Sequence, residues 1–164
     1  MASIRATWRF LLFILLTLIL VPVQLVFTMF CGTRTQQSPL VRLWHKAVLR
    51  ILNIRVTWQG DMQQAWQQQA LFVSNHSSYL DIVIMGASMP PFFIAKADTA
   101  DWPIFGPLIK VGGTLFISRK RSALPQQMRT IRDALAQGKS LFLFPEGTTS
   151  DGTITLPFKS TLLK

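Results

Sequence analysis

From Phe10 to Phe30 the chain runs 21 residues without a charge, and only Thr17, Pro22, Gln24 and Thr28 interrupt its apolar side chains. As a helix at ~1.5 Å per residue, this run is about 30 Å long, the thickness of a bilayer's hydrocarbon core. It is too long for the apolar part of an ordinary signal peptide, and no Ala-x-Ala site follows, so it reads as a membrane helix. Pro22 leaves a second arrangement open, a helical hairpin of two short pieces that dips in and returns. Residues 40–52 then place apolar side chains at helical spacing, with Arg42, Lys46 and Arg50 at i, i+4 and i+8. That is the pattern of an amphipathic helix at an anionic lipid surface, and equally of a surface helix over a core.

Past residue 52 short apolar runs alternate with helical ones. Ile54–Trp58, Leu71–Ser74, Phe92–Ala95, Thr114–Ser118 and Leu141–Phe144 are strand candidates. Tyr79–Ala87, Thr99–Ile109 (interrupted by Pro103 and Pro107) and Leu124–Gln137 (stopped by Gly138) are helix candidates. Gly60–Gln69 is polar and reads as a loop. The alternation predicts an α/β domain, a mostly parallel sheet flanked by helices, preceded by the N-terminal hydrophobic helix or hairpin. The division expected is an anchoring and amphipathic region over 1–52 and the α/β domain over 53–164. A further helix is expected near Lys159. No strand is expected beyond Phe144 to seal the sheet, so the domain reads as incomplete at its C-terminus.

Composition narrows the chemistry. The chain has 164 residues, 49% of them hydrophobic, which excludes a disordered chain. Cys31 has no partner for a disulfide, and Cys31, His45 and His76 are the whole Cys/His inventory, too little for a zinc site of that type. A net charge of +10 implies an anionic partner: phospholipid headgroups, nucleic acid or a phosphorylated substrate. No nucleic-acid module is visible, and the aromatics sit mainly in apolar runs, so nucleic acid is not expected. Arg5 and Arg9 precede the apolar segment, while Arg34, Arg42, Lys46, Arg50 and Arg55 follow it. The larger basic count on the C-terminal side places the body on the cytoplasmic face of the inner membrane.

Three segments carry candidate chemistry. Residues 74–81 read SNHSSYLD. With His76 in a strand-to-helix turn and Asp81 in the first helical turn, the carboxylate reaches one imidazole nitrogen and leaves the other to take a proton. The same residues are also compatible with a plain helix cap and a turn filler. A Ser77 or Ser78 nucleophile is disfavoured, since no G-x-S-x-G elbow surrounds them. Residues 112–121 (GGTLFISRKR) put Arg119 just past a strand, suited to clamping a phosphate, or simply in a solvated basic loop. Residues 144–150 (FPEGTTS) follow a buried strand with a carboxylate, Gly147 and three hydroxyls. They make either a ligand-binding turn or a turn that redirects the chain.

Together these segments resemble the glycerolipid acyltransferase family typified by lysophosphatidate acyltransferase. The family's Asn-His-x4-Asp block is matched by Asn75–Asp81, its Gly-strand-Arg block by Gly113–Arg119, and its Phe-Pro-Glu-Gly-Thr block by Phe144–Thr148. Lys96 and the Trp102–Pro103…Gly106 stretch look similar too. The resemblance implies that His76 is a general base oriented by Asp81. Asn75, Gly113, Arg119, Glu146, Gly147 and Thr148 are then expected to bind the acceptor's polar head. The implied reaction moves an acyl group from acyl-CoA or acyl carrier protein to the free hydroxyl of a lysolipid, lysophosphatidate first, with no metal and no bound cofactor. The approach to the domain (RLWHKAVLRILNIRV) also looks like the branch that acylates lyso-ornithine lipid. The family's fourth block, an apolar strand carrying a Pro, lies beyond the end of this chain. A non-catalytic anchor binding anionic membrane lipids is the reading from another class.

Overall fold

The computed structural model describes residues 2–31, 38–89, 92–103, 105–118 and 120–159. Helix α1 spans Ala2–Cys31 and is continuous through Pro22, so the chain does not break there into two short pieces. It is long and apolar enough to cross a membrane. Helix α2 spans Pro39–Leu52. Its start and stop follow capping chemistry: the Ser38 hydroxyl accepts from Leu40 N at 3.2 Å, Pro39 occupies the first turn, and Asn53 closes the helix in the left-handed region at φ 60°.

The described chain forms two compact units. The first comprises residues 1–60 with 83–90. Within it α2 packs on α1. Trp44 donates from Nε1 to Thr17 Oγ1 at 3.0 Å and meets Phe13 edge-on at 5.9 Å. Arg42 Nε donates to Ala87 O at 3.2 Å. His45 is buried, and its Nδ1 lies 2.8 Å from Val41 O. Beside that ring lies Gly86: a Cβ built there would sit 2.6 Å from His45 Cδ2 and Nε2.

The second unit, residues 61–82 with 91–164, holds the sheet. After a short α3 (Met62–Gln67) come β1 (Leu71–Val73), α4 (Leu80–Ser88, of which residues 83–88 belong to the first unit), β2 (Phe92–Lys96), a 3-10 turn (Ala97–Asp101), α5 (Phe105–Val111), β3 (Leu115–Ile117), α6 (Leu124–Ala136) and β4 (Leu141–Leu143). The strand order is β1-β4-β2-β3 and every pairing is parallel. Because β4 lies between β1 and β2, it is covered on every side. Leu141, Phe142 and Leu143 are all buried, which accounts for its unbroken apolar run. Leu141 and Leu143 join Phe92, Ile94, Ile117, Ile131 and Ala134 in the core, the last two supplied by α6.

Three expected elements differ. The helix expected over Thr99–Ile109 is a 3-10 turn (Ala97–Asp101) and a separate α5 (Phe105–Val111), parted next to Pro103, while Pro107 sits within the first turn of α5. Ile54–Trp58 is not a strand. Its alternation does turn Ile54 and Val56 inward and Arg55 and Thr57 outward, but no neighbouring strand pairs with it among the described residues. Part of the polar loop, Met62–Gln67, is a one-turn helix because Asp61 caps it, accepting from Gln64 N at 2.9 Å. Residues up to Lys159 beyond β4 form no regular element, and the helix expected from there falls on 160–164, outside the described residues.

Burial holds the pKa of His45 below its ordinary 6.5, against the smaller opposing pull of the Val41 carbonyl. A lowered folded pKa means that the unfolded chain binds the proton more readily. Stability is therefore full above the ordinary value and is lost as pH falls below it towards the lowered one. A thermal unfolding series in detergent between pH 8 and pH 5 should show that loss, and His45→Leu should flatten the slope. Gly86→Ala forces a methyl group against the buried ring and should cost about 1–3 kcal/mol; an unchanged melting temperature would contradict the packing described.

Candidate active site

The parallel strands set the site's location. The residues after β1 and after β4 emerge at the same C-terminal edge of neighbouring strands, the edge where open α/β sheets place ligands. After β1 the chain enters the turn Ser74–Tyr79 and then α4, whose first turn carries Asp81. One oxygen of that carboxylate organises the turn. Asp81 Oδ2 accepts from Ser77 N at 2.7 Å and from Ser78 N at 2.9 Å, and it lies 2.9 Å from His76 Nδ1. Both readings of Asp81 hold together: it caps the helix and it holds the imidazole. A carboxylate can only accept, so Nδ1 carries the hydrogen and Nε2 is left with its lone pair. The His76 side chain is 13% exposed and that of Asp81 25%, so the pair is sheltered but reachable.

The segment after β4 grips His76 from the other directions. The Phe144 ring stacks on the imidazole, centroids 4.0 Å apart and planes 18° from parallel. Glu146 Oε2 accepts from His76 N at 2.8 Å, and Ser150 N donates to His76 O at 2.9 Å. The other oxygen, Glu146 Oε1, accepts from Leu156 N at 2.8 Å. Glu146 is 2% exposed. Grouped by sequence with the acceptor-binding residues, it has both oxygens on backbone amides in the fold and ties the His76 turn to the strand-end loop. Gly147 closes a tight turn, donating to Phe144 O at 3.1 Å with φ 71°, a conformation that glycine adopts without strain.

The remaining expected site residues are placed as follows. Asn75 is exposed, with its side chain turned to its own loop, where Oδ1 accepts from Ser74 Oγ at 3.3 Å and Nδ2 donates to Ser77 Oγ at 3.5 Å. Thr148 is exposed at the rim. Gly113 is buried in the turn between α5 and β3, where its N donates to Lys110 O at 2.9 Å. Arg119 lies outside the described residues. The geometry brings together His76, Asp81 and Glu146, with Gly147 and Thr148 in the same strand-end loop.

Two contacts escaped sequence reasoning. Ser150 acts through its backbone, which no side-chain pattern reveals. Phe144 had a usable signal: in LFLF the period-2 pattern puts Phe144 on the face of Phe142, opposite the core leucines. The observed edge-on contact of these two rings at 5.1 Å agrees with that.

A parallel sheet that presents a carboxylate-held imidazole at its C-terminal edge, beside a Gly-containing turn, is the catalytic-domain class that the three motifs resemble. A family model described as Acyltransferase matches residues 53–164, and the chain belongs to that family. It is 36% identical over 148 residues to a lyso-ornithine lipid O-acyltransferase of Brucella abortus (strain 2308), covering 90% of this chain and 54% of that protein. It is 39% identical over 95 residues to a 1-acyl-sn-glycerol-3-phosphate acyltransferase of Neisseria gonorrhoeae, covering 57% and 37% respectively. The fold is similar to the crystal structure of the 1-acyl-sn-glycerophosphate acyltransferase PlsC from Thermotoga maritima. The TM-score is 0.72 at 22% identity, over 99% of this chain and 70% of that one. The chain spans about half the length of the lyso-ornithine lipid relative.

Glu146→Ala leaves the amides of His76 and Leu156 without their acceptor. Each such loss costs roughly 1–3 kcal/mol where the group stays buried. Chemical denaturation should therefore show a marked drop in stability, and a variant as stable as the parent would remove Glu146 from this bracing role.

Proposed function

We propose that this chain carries the catalytic machinery of a membrane-bound lysolipid O-acyltransferase. The observation that carries the reading is the 2.9 Å contact between His76 Nδ1 and Asp81 Oδ2 at the end of β1. In the proposed reaction the acceptor hydroxyl gives its proton to His76 Nε2 as its oxygen attacks the thioester carbonyl of acyl-CoA or acyl carrier protein. Asp81 stabilises the imidazolium that forms. The tetrahedral intermediate collapses, the C–S bond breaks, and the departing thiolate takes the proton back from the imidazolium. An ester and a free thiol result, with no acyl-enzyme. Arg119, Gly147, Thr148 and Asn75 are proposed to bind the acceptor's polar head; Gly113, buried in the turn that enters β3, lies at the opposite edge of the parallel sheet and is left out of that set.

Among acceptors, lyso-ornithine lipid is the reading supported by the longer similarity, 90% of the chain against 57% for the relative named for 1-acyl-sn-glycerol-3-phosphate. Lysophosphatidate is the second reading, supported by the cationic segment around Arg119 and by the net charge of +10. The proposed location is the cytoplasmic face of the inner membrane, where both acyl chains partition and where α2 meets anionic lipid.

The full chain in detergent, given labelled acyl-CoA or acyl carrier protein, should acylate one of these lysolipids. His76→Ala should lose about 10²–10⁴ of that rate, the share of a general base. Equal transfer by the variant would remove His76 from the mechanism.

A further inference from the structure

His76 has an aromatic ring lying flat against it, and an imidazole that accepts a proton becomes a cation. The Phe144 centroid is 4.0 Å from that of His76, with planes 18° apart, so the negative face of the π system meets the ring where charge develops. Phe144 is not free to turn away. Phe142, buried, contacts it edge-on at 5.1 Å, and Phe142 is itself held by Phe93 at 5.7 Å and by its stacked register partner Phe72 at 6.5 Å. A ladder of aromatic side chains thus runs from the sheet to the imidazole. Plain packing requires only bulk at position 144; a face-to-face stack on the base has an electrostatic consequence.

We infer that Phe144 is a positioning residue that fixes the plane of the His76 ring and stabilises its imidazolium form by stacking on the ring face. The inference rests on the reading of His76 as the base. Asp81 acts on the Nδ1 edge of the ring, Phe144 on its face, and Glu146 lies at the His76 backbone amide. Asp81 and Glu146 are the titratable groups that the described hydrogen bonds bring to His76. The stack adds stabilisation that grows as the proton transfers and is weak while the ring is neutral, the condition for lowering a barrier rather than tightening a ground state.

The test is a series of fluorinated phenylalanines at position 144 of the full chain in detergent, with one, two and three ring fluorines, beside Phe144→Leu. Fluorine drains the ring face while barely changing its shape, so packing is kept and only the electrostatic part declines. The chain has 2 His, so the imidazole resonance missing from His76→Ala assigns His76 in an NMR titration. The titration midpoint of His76 should move stepwise to lower pH along the series. The acid limb of kcat/KM should move with it, and kcat should fall by roughly three- to thirtyfold at the end of the series, with the KM for acceptor little changed. A midpoint that stays fixed across the fluorinated series overturns the inference, whatever the rate of Phe144→Leu, because loss in the leucine variant alone is lost packing. A midpoint that moves in a chain with no acyl transfer supports the stack and overturns the functional reading instead, so the two fail separately.

Discussion

One carboxylate oxygen sets up the site. Asp81 Oδ2 takes the Ser77 and Ser78 amides, donors of the turn that leads into α4, and the Nδ1 hydrogen of His76. The first two contacts would exist in any well-capped helix. They matter here because they pin the carboxylate, and a pinned carboxylate selects one tautomer and one orientation of the imidazole. A free side-chain pair would spend rotamer entropy on each encounter. This one is assembled by the same hydrogen bonds that begin the helix, so the orientation of the imidazole comes with folding.

The parallel topology does the second part of the work. His76 and Glu146 are 70 residues apart in sequence, yet they are hydrogen-bonded because β1 and β4 are neighbours in register. Only a non-sequential strand order allows this. The chain leaves β1, builds β2 and β3 on the far side, and returns between β1 and β2 through α6. The return delivers Phe144, Glu146 and Ser150 to one peptide unit and its side chain. The resulting grip covers the amide, the carbonyl, the ring face and the ring edge of His76. A side chain held on that many sides is preorganised by the set of contacts rather than by any single strong bond.

How much of this was legible in the sequence depends on whether the signal was local. The pairing of His76 with Asp81 was legible because a strand, a turn and a helix start follow one another within eight residues. The buried strand at Leu141–Leu143 was legible because a central parallel strand is apolar on both faces. Ile54–Trp58 misled because alternation reports which side chains turn inward, not whether another backbone lies alongside to pair. Glu146 was legible as important and not in what it holds: its partners are backbone amides, one 70 residues away, and amides have no sequence signature. The close approach of Gly86 to His45 was illegible for the same reason, since it exists only once two helices are packed.

The N-terminal helices invite the question of what solvent they are built for. Ile4, Trp8, Phe10, Leu11, Leu12, Leu15, Leu18 and Ile19 are all exposed along α1, a continuous apolar surface that nothing in the described chain covers. In water such a face is a liability; in hydrocarbon it is the ordinary exterior of a helix. Two hydroxyls of α1 suit hydrocarbon, whereas the buried Gln24 Oε1 finds no hydrogen-bond partner among the described residues. Thr17 Oγ1 donates to Phe13 O at 2.8 Å and accepts from Trp44 Nε1, while Thr28 Oγ1 donates to Gln24 O at 2.7 Å. Each hydroxyl is thus satisfied from within the two helices, as a medium without water demands. Trp44 belongs to α2, which carries Lys46 and Arg50 exposed and Arg42 bonded to Ala87 O. A helix left bare outside and followed by an amphipathic basic helix fits the proposed membrane location, where lipid substrates would be met without leaving the bilayer.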